Sequence, residues 1–204
     1  LTGAVVGANF RFGHRAEGDV DLLRRLGEAT GFAVRVLEPV RFGGEVISSS
    51  LVRNRVEAGE VEKAAAMLGR PFHLRGQVVL GQRRGHTLGF PTVNLAPGTL
   101  LRPAGGVYAT VLERNQGRQY ASVTNVGVCP TFGPGAPLTV ETHILDFDEE
   151  IYGEEVGVAF HHRLRGEQRF ATPAALAAQI ATDIAGARRL LGRGASLTDE
   201  PVTL

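Results

Sequence analysis

"LTVETHILDF", residues 138–147, changes character at every step along the chain. Val140, Thr142, Ile144 and Asp146 fall on one side of an extended backbone, and Glu141, His143, Leu145 and Phe147 on the other. A period of two, carried on one side by β-branched residues, predicts a strand with one face in a core. Four more stretches after Gly69 are strand candidates: "HLRGQVVLG" (73–81), "GVYATVLE" (106–113), "YASVTNVGV" (120–128) and "EVGVAFHHRL" (155–164). Gly, Pro, Asn and Asp separate them, the punctuation of an antiparallel sandwich or barrel. The segment "TPAALAAQIATDIAGARRLLG" (172–192) then predicts a helix. Thr172 is its N-cap, Pro173 its first residue, and Leu176, Ile180, Ile184 and Leu191 its apolar stripe.

Before Gly69 the pattern is different. "GAVVGANF" (3–10) is a strand running into a turn, and "DVDLLRRLGEATG" (19–31) a helix with Leu22, Leu23 and Leu26 on one face and Gly31 as its stop. "FAVRVLEPV" (32–40) is a second strand, and "SSSLVRNRVEAGEVEKAAAMLG" (48–69) two helices broken at Gly59. Strand, helix, strand, helix predicts part of a layered α/β unit with parallel strands.

The 204 residues carry 22 basic and 21 acidic side chains, so net charge offers no reason to expect a polyanion partner. The strands also lack a basic face interleaved with aromatics, which argues against nucleic acid. Cys129 is the sole cysteine and excludes an intrachain disulfide, which favours a reducing compartment. With no apolar run near the ~20 residues of a membrane span and no signal-peptide pattern, the expected location is cytoplasmic.

Three stretches invite a chemical reading. In "RRGHTLGFPTVNL" (83–95), Gly85 and Gly89 permit turns or close backbone approach, and Pro91 holds Phe90 extended. Thr92 and Asn94 then point to one side, two neutral oxygens suited to a hard cation such as Mg²⁺ whose other ligands are water and phosphate. An ordinary Gly/Pro turn accounts for the same residues. Glu141 sits mid-strand among apolar neighbours, either as a general base or on a solvated face. "ISSSLVR" (47–53) places hydroxyls and Arg53 at a helix start, where phosphate binding and simple capping are both open. The six histidines show no metal-ligand spacing, and a structural zinc site is not expected.

Taken in order, "GQRRGHTLGFPTVNL" (81–95), "LRPAGGVYAT" (101–110), "SVTNVGVCPTFG" (122–133), "VETHILDFDEEIYGEEVGVAF" (140–160) and "LRGEQRF" (164–170) resemble the riboflavin kinase module of bacterial bifunctional riboflavin kinase/FAD synthetases. Upstream, "VGANFRFGHRAEGD" (6–19) and "ISSSLVRNRVEAGEVEKAAAMLGRPF" (47–72) resemble the second half of the same enzymes' FMN adenylyltransferase module. The resemblance implies an α/β remnant over residues 1–68, a compact antiparallel β-barrel with a C-terminal helix over 69–192, and a tail over 193–204. The implied reaction moves the ATP γ-phosphate to the ribityl 5′-hydroxyl of riboflavin, giving FMN and ADP.

The family's Pro-Thr-Ala-Asn motif reads Pro91-Thr92-Val93-Asn94 here. That match assigns Mg²⁺ and the ATP phosphates to Thr92 and Asn94, and makes Gly81 to Gly89, with Arg84 and Gly85, the loop over the nucleotide. Val93, in place of the usual Ala, is expected to face inward. Glu141 matches the catalytic base. Asn125, Gly127 and Thr131 in "TNVGVCPTF" match the flavin pocket wall, and Arg165 lies in a loop that closes near the flavin. Ser48, Ser49 and Arg53 match the second phosphate motif of the adenylyltransferase. Its first motif, with the catalytic His, has no match, so the resemblance implies a half-site that does not adenylylate FMN. Two alternatives accompany this reading: a fully bifunctional enzyme seen in part, and a flavin- or nucleotide-binding module without catalysis.

Overall fold

The computed structural model describes residues 2–81, 89–96, 101–128 and 138–192, which form two compact units, Leu1–Ser48 and Ser49–Leu204. In the first, β1 (Gly3–Gly7) and β2 (Ala33–Leu37) pair in parallel with Gly3 opposite Ala33 and Gly7 opposite Leu37. The helix α1 (Val20–Thr30) joins them. Its start is fixed by Asp19, whose Oδ1 accepts from the Leu22 N–H at 2.9 Å. Its end is fixed by Gly31 in the left-handed conformation at φ 81°. Val20 and Gly27 are the buried residues of α1, while Leu26, expected on the apolar face, is 41% exposed. Gly27 explains the shift: a methyl there would meet the Phe32 carbonyl oxygen at 2.6 Å, so the helix seats on its glycine. The second strand stops at Leu37, short of the expected Val40, and a hairpin of β3 (Arg41–Phe42) and β4 (Glu45–Val46) follows. Gly43 and Gly44, at φ 56° and 86°, make its turn.

The second unit begins ahead of the change in sequence character at Gly69. Two helices, α2 (Ser49–Glu57) and α3 (Val61–Leu68), turn at Gly59 and lie with the barrel, Val61 entering the barrel core. Arg163 fastens that corner: its Nη1 donates to the Ala58 carbonyl at 3.3 Å and its Nη2 to the Gly105 carbonyl at 3.0 Å. The strands β5 (Phe72–Val79), β6 (Val93–Leu95), β7 (Gly106–Glu113), β8 (Gln119–Val128), β9 (Leu138–Ile144) and β10 (Glu155–Arg165) close into a barrel in the order β10-β5-β6-β9-β8-β7. Every neighbouring pair is antiparallel. Closure leaves no free sheet edge, which suits strands this apolar.

Val140, Thr142 and Ile144 of β9 all point into the barrel, as the alternation predicts. Around them lie Leu74, Val78, Leu95, Tyr108, Leu112, Val126, Val156, Val158 and Phe160. Burial of each such large side chain is worth about 1.5–3 kcal/mol. The core is not wholly apolar. Thr110 Oγ1 meets Ser122 Oγ at 2.8 Å and Thr124 Oγ1 at 2.8 Å, and Thr124 Oγ1 meets Thr142 Oγ1 at 2.9 Å. These four hydroxyls form a fully buried ladder across β7, β8 and β9. Val93 packs against the same core, inward as expected. The alternation ends at Ile144, however, and Asp146 sits in an exposed turn at φ 55°. There both its oxygens accept from Arg188, each at 2.7 Å.

The C-terminal helix α4 (Pro173–Leu191) starts as predicted, with Thr172 Oγ1 accepting from the Ala175 N–H at 3.1 Å. Its buried line is Asp183, Ala187 and Leu191, with Ile184 beside it; Leu176 and Ile180 of the expected stripe are only half-buried. The small Ala187 lets the helix lie close on Val107, Ala109, Val123 and Ala159. Asp183 is in the line because Arg165 meets it there. Arg165 Nε donates to Oδ1 and Oδ2 at 3.1 and 3.0 Å, and its Nη2 to Oδ2 at 2.9 Å.

Candidate active site

Antiparallel pairing fixes which outward side chains become neighbours. Asn94 of β6 stands opposite Glu141 of β9, and Glu141 stands opposite Asn125 of β8. Directly opposed residues have Cβ atoms about 4.5–5.5 Å apart, so the three form a polar row across the outer face. The inward partners on each side of Glu141, Val140 and Thr142, are fully buried. That parity turns the Glu141 carboxylate out of the core, to a half-buried position flanked by two carboxamides.

Asn94 is packed closely from the β5 side. An added methyl at Gly81 would overlap its carboxamide, coming 2.8 Å from Oδ1 and closer still to Cγ and Nδ2. Only glycine leaves that side chain its place. Gly89 has φ 82°, a turn favouring glycine, and leads into Phe90, Pro91 and Thr92. Thr92 precedes β6 and is half-buried, two residues from Asn94. Arg84 and Gly85 lie outside the described residues, as does Thr131.

Next to Asn125 the outer face is covered by a carboxylate that sequence reasoning missed. A methyl on Gly127 would come within 2.8 Å of Glu167 Oε1 and within 3.4 Å of Asn125 Nδ2; one on Gly105 would meet the Glu167 carboxyl carbon at 3.0 Å. Glu167 thus reaches over the ends of β7 and β8 from the loop after β10. Arg165, expected to lie near a flavin, is turned to Asp183, with its Nη1 on the Gly166 carbonyl at 3.1 Å and its guanidinium 5.6 Å from the Phe170 ring centroid. It anchors the loop that carries Glu167. His143 was also missed as a site residue: its Nδ1 meets the Pro91 carbonyl at 2.7 Å. Its only sequence signal is the two-residue offset from Glu141 on the same face.

Ser49 opens α2 and Arg53 lies exposed one turn in, while Ser48 ends the first unit. No group of three or more His, Cys, Asp or Glu suited to a metal occurs among the described residues. Among the described residues no helix is long and apolar enough to cross a membrane.

Residues 68–191 match the family model described as riboflavin kinase, and residues 1–51 the model described as FAD synthetase. A bifunctional riboflavin kinase/FMN adenylyltransferase of Pseudomonas fluorescens is 38% identical over 185 residues, 91% of this chain and 59% of that protein. The protein of the same description from Escherichia coli K12 is 37% identical over 187 residues, 92% of this chain and 59% of its own. A solved Streptococcus pneumoniae chain, named a macrolide-efflux protein, superposes with a TM-score of 0.79 at 31% identity, covering 93% of this chain and 59% of that one. The chain therefore spans 59% of the length of these curated relatives.

Proposed function

The chain belongs to the riboflavin kinase family, and on that premise we propose that its barrel transfers the γ-phosphate of ATP to the ribityl 5′-hydroxyl of riboflavin. The observation that carries the reading is the row Asn94–Glu141–Asn125 on three adjacent strands. It sets a carboxylate between a metal-type carboxamide and the residues read as the flavin wall. Glu141 accepts the proton of the 5′-hydroxyl as that oxygen bonds to the γ-phosphorus. The bond from the γ-phosphorus to the β,γ-bridging oxygen breaks, and ADP leaves. Such transfers depend on positioning and charge neutralisation, with little covalent chemistry from the protein.

A nucleotide-dependent transfer of this kind takes a divalent cation. We assign Mg²⁺ to Thr92 and Asn94, whose neutral oxygens suit a hard ion that keeps water and phosphate as its other ligands. When bound, the ion neutralises charge on the phosphate oxygens. The room that Gly81 leaves for the Asn94 carboxamide fits this use. Gly81→Ala is expected to weaken Mg-ADP binding by roughly tenfold, about 1.4 kcal/mol, in calorimetric titration. Riboflavin binding should be unchanged in the same variant.

Asn125, Gly127 and Thr131 form the flavin wall in this reading, with the Arg165 loop beside it. In this reading residues 1–68 are the adenylyltransferase segment and Ser48, Ser49 and Arg53 its phosphate contacts; the FAD synthetase match supports the segment over residues 1–51. The need for ATP supports a cytoplasmic location. The test is to supply the purified chain with riboflavin and Mg-ATP and separate the flavins by chromatography. FMN and ADP in equal amounts are expected. FAD in the same run would assign adenylyl transfer to the chain as well. Tight riboflavin binding by folded protein without FMN would replace the kinase with a binding module.

A further inference from the structure

The pairing of β6 with β9 covers Val93 opposite Thr142, Asn94 opposite Glu141 and Leu95 opposite Val140. Continued by one residue, it would set Thr92 opposite His143. Instead the backbone register ends at Val93, and the His143 side chain reaches past Thr92: its Nδ1 meets the Pro91 carbonyl oxygen at 2.7 Å. A carbonyl only accepts, so Nδ1 carries the proton of this bond. The His143 ring also stands edge-on to Phe90, with centroids 5.8 Å apart and planes at 89°. Phe90 and Pro91 are thus gripped by one side chain, and Val93 by the ladder. Thr92 lies between two held neighbours.

We propose that His143 is a positioning residue: it holds Phe90–Pro91 so that the Thr92 oxygen stands beside Asn94 for the metal and nucleotide phosphates. The inference rests on the assignment of Thr92 and Asn94 to that site. The physical need is specific. Pro91 has no N–H to give a ladder and only φ is fixed by its ring, so its carbonyl, one bond from the Thr92 nitrogen, sets the plane of the peptide that aims Thr92. A side-chain donor from β9 sets that plane without adding a rung. His143 and Glu141 sit two apart on one strand, so the base and the holder of the metal loop move together.

Three variants separate this from a merely structural role. His143→Asn keeps an N–H near the position of Nδ1, His143→Gln moves it outward to the place of Nε2, and His143→Leu keeps bulk against Phe90 but no donor. Each is titrated with Mg-ADP by calorimetry and with riboflavin by fluorescence, beside a thermal melt. His143→Leu and His143→Gln are expected to lose about tenfold in Mg-ADP affinity and to need more Mg²⁺ for half-maximal rate, with riboflavin affinity held. His143→Asn should return to within about threefold of the parent. Parent-like Mg-ADP affinity in the leucine variant, or an asparagine variant no better than leucine, overturns the proposal. So does a drop in melting temperature with affinity unchanged. Should the leucine variant not fold, nitrogen-detected NMR of the parent decides, since a proton on Nε2 instead of Nδ1 excludes the bond. A parent that makes no FMN at all counts against the kinase assignment instead, because the NMR tautomer and Mg-ADP titrations do not depend on turnover.

Discussion

Glu141→Gln should form FMN at least about 10²-fold more slowly than the parent while binding riboflavin and Mg-ADP nearly as well. The substitution keeps the shape and hydrogen-bonding reach of the side chain and removes its capacity to take a proton. Shape matters here because Glu141 lies directly between Asn94 and Asn125 on adjoining strands. A smaller residue would open a gap in that row and confound base loss with displacement. The loss should therefore appear in kcat, with the riboflavin KM changed by less than about threefold. A variant within threefold of the parent rate would remove Glu141 from the role of base.

The second large effect is on stability. Asp183→Ala should lower unfolding free energy by about 3–5 kcal/mol, the range for breaking a buried pair by removal of one partner. Arg165 and Asp183 side chains are 15% and 5% exposed, and the carboxylate also accepts from Gln179 Nε2 at 2.9 Å. Removal leaves a guanidinium with little water to replace it. For a chain of this size the melting temperature should fall by roughly 8–15 °C. Urea melts of Asp183→Ala, Arg165→Met and the pair Asp183→Leu/Arg165→Met separate the costs. The double variant should recover much of the loss, since an apolar pair has no orphaned charge. An Asp183→Ala loss under about 1 kcal/mol would mean that water already reaches the pair. The Arg188–Asp146 pair is a useful control: it is bidentate too, but 50% and 72% exposed, and its removal should barely move the melt.

Five strands of the barrel were legible as apolar runs bounded by Gly, Pro, Asn and Asp, and β9 most openly because its inward apolar set alternates with outward Glu141 and His143. The strand β7 shows no such alternation, since Val107, Ala109 and Val111 on its outer face lie in the apolar cluster under α4. The helix α4 was legible at its start because Thr172 and Pro173 act locally. Its inner face was not. Asp183 is inward because of a partner 18 positions earlier on another element, and no helical periodicity contains that information. The strand β6 is three residues long, too short for a period to show, and it exists because β5 and β9 flank it. The hairpin at Gly43–Gly44 carried a readable turn signal between strands of two residues each. For the site, spacing alone could suggest that Thr92 and Asn94 share a side. That Glu141 stands beside Asn94 is a fact of register between distant segments, reached from the sequence only through family resemblance. Glu167 had no local signal to separate it from a solvated residue, and His143 had only its two-residue offset from Glu141.

The buried hydroxyl ladder of Ser122, Thr110, Thr124 and Thr142 has a consequence beyond the core it occupies. A strand slipped by one residue reverses which of its side chains face inward. On β8 an apolar lining alone discriminates weakly between such frames, because Val123 could stand in for Thr124; on β9 a slip would also turn the Glu141 carboxylate and His143 inward. The hydroxyls act as a parity bit. In the native frame all four find one another; in a shifted one they part, and any left inside without a partner costs about 1–3 kcal/mol. The same frame that closes the ladder inside sets Asn125, Glu141 and Asn94 abreast outside. Substitutions that replace the four with valine should then raise the population of misregistered barrels without any change of sequence on the outer face that carries Asn94, Glu141 and Asn125.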